Sequence, residues 1–98
     1  MSRVLKEEVT FDRFTVTSLD WESYPLLTFP EIPEISYDLI DRPNEPPWGG
    51  GEPSAAVVPS AISNAVFDAT GVRLRSVPFT PEKVKTALSK QLDDADGE

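Results

Sequence analysis

The chain has no cysteine and no histidine among its 98 residues. The first absence excludes disulfides, thiolate metal sites and iron–sulfur ligation, so a metal centre would have to be held by oxygen ligands or by another polypeptide. The second removes the side chain that ordinarily shuttles protons near neutral pH. Positive charge is also scarce: nine Lys and Arg stand against seventeen Asp and Glu, for a formal net charge of -8. That balance opposes binding to a phosphate backbone and argues against nucleic acid as a partner. No run of about 18 apolar residues exists, and the N-terminus lacks the apolar centre of an export signal, so the sequence shows neither a membrane span nor a leader. With no cysteine to report on redox conditions, the compartment stays open between cytoplasm and periplasm.

What is present suits a folded protein. Apolar residues make up 39% and charged residues 27%, and the aromatics include two Trp, two Tyr and five Phe, which is not the composition of a disordered chain. A chain of this length buries only about two thirds of its unfolded surface, so its independent stability is modest and a partner would help to complete its core. Residues 4–11 and 14–17, separated by Asp12 and Arg13, read as a hairpin. Residues 32–40 read as the clearest strand, with Ile35, Tyr37 and Leu39 on one side and Ser36, Asp38 and Ile40 on the other. Residues 41–53, DRPNEPPWGGGEP, hold four Pro and three consecutive Gly, which predicts a long shaped loop. A main helix follows, starting between Ser54 and Ser60 and ending at Thr70, with Gly71 as its C-cap and Pro59 as a complication near its start. Thr80, Pro81 and Glu82 supply an N-cap, a first-turn proline and a first-turn acid for a shorter second helix. The fold expected is therefore α+β: a small antiparallel sheet packed on one main helix, with a short C-terminal helix. Residues 93–98 are expected to form an acidic, disordered tail beyond a segment spanning 1–92.

The stretch WGGGEPSAAVVPSAISNAVFDATGVRLRSVPFTPEKV, with the upstream words around Trp21, Tyr24 to Leu27 and Pro30 to Ile35, resembles the C-terminal part of the molybdopterin-binding subunit of molybdenum hydroxylases. These form the xanthine dehydrogenase and aldehyde oxidase family, and the likeness is nearest to its isoquinoline 1-oxidoreductase-like bacterial branch. The resemblance covers roughly residues 3–90. It implies that the chain is a fragment of a larger molybdopterin-binding domain, and that the substrate is a nitrogen heterocycle or an aldehyde oxidised with oxygen from water. Glu52 matches the glutamate of the family's Gly-Glu-Pro loop, which implies the role of catalytic base. Gly49, Gly50 and Gly51 would let the backbone approach a molybdopterin-type cofactor held mostly by other sequence. Ser54 is a candidate cofactor contact, although the family more often has Pro or Ala there. The implied partners are a larger molybdopterin-binding chain and an iron–sulfur subunit, without which the isolated chain should be inactive.

Each of these residues has a plainer reading. A glutamate after three glycines is ordinarily a solvent-facing loop residue. The glycine triplet lacks the spacing of a dinucleotide or phosphate loop. Trp48 could line a substrate channel, but packing beneath the loop is the simpler role. Trp21 and Tyr24 suit core or subunit contacts better than ligand contacts. Glu7 and Glu8 read as a solvated strand edge. Asp93, Asp94 and Asp96 lack the spacing of a calcium loop. The alternative to an enzyme segment is a small acidic protein-interaction module, or an inactive truncated fragment, with no chemistry of its own.

Overall fold

The computed structural model describes residues 1–96, with side chains through residue 93. Three α-helices organise it: α1 (Ser2–Leu5), α2 (Gly51–Thr70) and α3 (Pro81–Asp96), with a single 3-10 turn at Phe29–Glu31. No strand forms among the described residues, which overturns the expected α+β fold with its antiparallel sheet. The hairpin survives only as one antiparallel bridge between Phe11 and Val16. Its turn is held by the Asp12 carboxylate, which accepts the N–H groups of Phe14 at 2.7 Å and Thr15 at 2.9 Å. Residues 32–41 run without regular structure. The reason is physical: alternation prepares one face for a core, but a strand also needs a neighbour to accept its backbone hydrogen bonds, and the described residues offer none.

Helix α2 spans 20 residues and starts at Gly51, earlier than expected. Pro53 falls in its first turn, where a missing N–H costs nothing because that donor has no intrahelical acceptor. Pro59 lies inside the helix and forfeits one hydrogen bond there. Val58, Ile62 and Val66 recur every fourth residue and pack on the core, so burial along one stripe holds the helix together across the proline. Gly71 ends it in the left-handed conformation, φ 75°, with its N–H donating to the Phe67 carbonyl at 2.7 Å. That is the glycine C-cap the sequence announced. Helix α3 begins at Pro81, also as expected, and its backbone continues through Asp96. Residues 97 and 98 of the expected acidic tail lie outside the described residues.

The core is small. Val4, Leu74 and Phe79 are buried, with Leu5, Val58, Ile62, Val66, Val72, Val84 and Ala87 packed around them. Two buried polar links fasten it. The Phe79 N–H donates to the Val4 carbonyl at 2.6 Å, and the buried Ser63 hydroxyl donates to the Leu74 carbonyl at 2.7 Å. So residues of α1, the segment after Gly71 and α3 gather with Val58, Ile62 and Val66 of α2 in one cluster. Residues 8–50 contribute nothing to this buried centre.

The surface is correspondingly large. The accessible area is 8701 Å², whereas a self-contained protein of this mass presents about 5,500 Å². The radius of gyration is 17.8 Å, against about 13 Å for a compact domain of this length.

Candidate active site

Glu52 lies in the first turn of α2, not in a loop, and it is exposed. Gly50 occupies the N-cap position and offers no side chain to the first turn. The amide N–H groups of Gly51 and Glu52 find no acceptor among the described residues. A helix start of this kind combines free donors with the positive end of the helix dipole. The Ser54 hydroxyl donates to the Gly50 carbonyl. Its proton is thus committed to the backbone, and only its oxygen lone pairs remain to receive a donor.

The glycine triplet is bare. A Cβ placed on Gly49, Gly50 or Gly51 would meet nothing within 4 Å, and none of the three has positive φ, since among the described residues only Gly71 does. Nothing within this chain therefore requires glycine at these positions. Three consecutive side chains are missing where the chain itself leaves open space, which suits a close approach by something outside it.

Trp48 is 88% exposed, which corrects the expectation that it packs beneath the loop. Trp21 is also exposed, at 78%, so it is not a core residue. Tyr24 is half-buried, and its hydroxyl donates to Glu7 at 2.9 Å. Glu7 is accordingly not the solvated strand edge expected: it follows α1, and the Ser2 hydroxyl, with smaller help from Tyr24 and Arg3, holds its carboxyl below the usual range. Among the described residues no three metal-ligating side chains come together.

Two arrangements escaped the sequence reading. Lys6 and Thr28 converge on Glu31, whose carboxylate accepts the Thr28 N–H and hydroxyl at 2.8 Å each; the Thr-x-x-Glu spacing of a capping box was its signal. The second is an open groove of 370 Å³ beside α3 that brings together Arg73, Arg75, Lys83 and Lys90. In a chain of net charge -8, five of the nine cations fall between positions 73 and 90, and that clustering was legible.

The site thus consists of an exposed carboxylate at an uncapped helix start, behind three bare glycines, on a chain with far more surface than its mass requires. The chain is 52% identical over 87 residues, 89% of its length, to one of the subunits of nicotinate dehydrogenase from Pseudomonas putida. It is 35% identical over 88 residues, 90% of its length, to the membrane-bound aldehyde dehydrogenase (pyrroloquinoline-quinone) of Gluconacetobacter polyoxogenes. A putative xanthine dehydrogenase molybdenum-binding subunit of Escherichia coli is 36% identical over 66 residues, 62% of this chain. The chain belongs, as a segment, to the molybdenum hydroxylase family. It spans only 7%, 11% and 9% of the lengths of these three relatives. No family model matches it, and no solved structure does. Among the described residues, no helix is long and apolar enough to cross a membrane.

Proposed function

We propose that this chain is the part of a molybdenum-dependent hydroxylase that presents Glu52 to the reacting centre as general base. The observation that carries the reading is the placement of Glu52: an exposed carboxylate at the uncapped start of α2, preceded by three glycines with open space on their side-chain face. When bound, the molybdenum cofactor supplies the electron-accepting centre for oxidation of the substrate. Glu52 accepts the proton that the water-derived oxygen must lose before it can attack carbon. A carboxylate in open water is a weak base, and exclusion of water strengthens it. The covering surface must come from the rest of the assembly. The backbone of Gly49, Gly50 and Gly51 gives the cofactor close approach, and the free N–H groups of Gly51 and Glu52 can donate to its oxygens. The Ser54 oxygen can accept a hydrogen bond from the same group. Trp48, exposed just before the triplet, is placed to stack on a flat substrate.

The substrate class is a nitrogen heterocycle or an aldehyde, in keeping with relatives named for nicotinate and for aldehyde oxidation. The remaining pterin contacts come from a larger molybdopterin-binding sequence, and electrons leave through an iron–sulfur subunit, since this chain has no cysteine. Metal and cofactor analysis of the intact assembly isolated from its native source tests the reading. Molybdenum in stoichiometric amount is expected. Pyrroloquinoline quinone in its place, as the name of the Gluconacetobacter relative would have it, contradicts the proposal. The exposure of Trp21 and Trp48 also suits a protein-interaction module without chemistry, which would bring down a partner carrying neither cofactor.

A further inference from the structure

Residues 34–42 form a span between Pro33 and Pro43 in which every position has a backbone N–H. Among the described residues, none of these N–H groups donates to a backbone carbonyl, and of their carbonyls only that of Arg42 is taken, by the Glu45 N–H. The apolar side chains are equally open: Ile35 is 71% exposed, Tyr37 81% and Leu39 87%. These three alternate with Ser36 and Asp38, so in an extended conformation one side would be apolar and the other polar up to Ile40. A solvated arm would gain nothing from that alternation. An arm with free donors and acceptors and one apolar face is the form of a strand awaiting a sheet.

We infer that residues 34–42 add as a β-strand to an edge of a sheet in the larger part of the molybdenum-binding subunit, on the same polypeptide or on a second one. This rests on the proposed function for the identity of the partner. The segment is not a strand of this chain's own. Its occupant is set by the surplus area, 8701 Å² against about 5,500 Å², and by the fact that more than nine tenths of the Pseudomonas relative lies beyond the matched stretch, which is 7% of it. Main-chain pairing supplies the attachment, and Ile35, Tyr37 and Leu39 supply the choice of face. Pro33 and Pro43 bound the strand, because neither can donate to a ladder. The same docking draws Trp48 and the glycine triplet, a few residues further on, toward the body that holds the cofactor.

Residue-level hydrogen exchange of the assembled enzyme tests this. In a strand, N–H groups of successive residues point to opposite lateral sides, so addition at an edge protects alternate amides. At least one alternate set, Ile35, Tyr37 and Leu39 or Ser36, Asp38 and Ile40, should exchange about 100-fold more slowly than in an unstructured peptide of the same sequence. Tyr37→Asp, which charges the apolar face, should remove that protection, and Ser36→Asp should leave it. Both sets exchanging at the peptide rate in the assembled enzyme would overturn the inference. An enzyme with a protected arm that stays active as Glu52→Gln would refute the assigned base and leave the strand standing. An unprotected arm in an enzyme that Glu52→Gln silences would do the reverse.

Discussion

Glu31 carries the most strongly shifted carboxyl. The Lys6 ammonium, then the Thr28 N–H and hydroxyl, all favour its charged form and lower its pKa from 4.5 to about 2. A carboxyl depressed in the folded state contributes stability that is present above the unfolded value near 4.5 and is lost as the pH falls toward 2. The contribution is modest, because the pair lies at the surface and solvent screens it. Its pH dependence is nevertheless specific. Glu31→Gln should flatten the fall in thermal midpoint between pH 5 and pH 3, by about the share this pair holds in the acid limb. An unchanged slope would mean that the Lys6–Glu31–Thr28 cluster does not form. The contact also explains how residues 28–31, distant in sequence, are tied to the end of α1.

At the scale of elements, the two long helices were legible, whereas α1 overlapped a stretch read as a hairpin strand and the expected strands did not form among the described residues. Thr80, Pro81 and Glu82 announced the start of α3, and Gly71 announced the end of α2, because caps and C-terminal glycines act through local geometry that sequence alone contains. The start of α2 falls earlier than the sequence suggests: three glycines and Pro53 weigh against a helix interior, yet both residue types are tolerated in a first turn. The strand pattern in residues 32–40 is present, but pairing is a property of two segments and only one is here. The candidate site shares this division. Glu52, Gly49, Gly50, Gly51 and Ser54 could be singled out from their order along the chain, whereas the helical setting of Glu52 and the exposure of Trp48 needed coordinates. One internal joint decides whether the elements are packed as described. Ser63→Ala removes the buried hydrogen bond to the Leu74 carbonyl and leaves that carbonyl without a partner, which should cost about 1–3 kcal/mol in urea unfolding. Ser60→Ala, at an exposed position on the same helix, should change stability by less than about 0.5 kcal/mol. Equal effects would show that α2 does not seat on the segment after Gly71.

For the molecule as a whole, the imbalance between surface and core is the leading fact. Among the described residues three apolar side chains are buried, while Phe11, Phe14, Leu19, Trp21, Phe29, Tyr37, Leu39, Ile40 and Trp48 face outward. Apolar exposure on that scale supports the proposal that this surface meets other sequence. On the proposed reading the chain contributes a base and a place for close approach, while it has no cysteine, no histidine and no clustered metal ligands among its described residues. On that reading this segment's share in turnover reduces to one proton acceptor. Glu52→Gln in the assembled enzyme measures that share most directly, because the amide keeps the shape of the side chain and cannot take a proton. Turnover should fall by about 10²- to 10⁴-fold, the usual worth of a positioned general base, with molybdenum content unchanged. Turnover near the wild-type rate at full molybdenum occupancy would contradict the account.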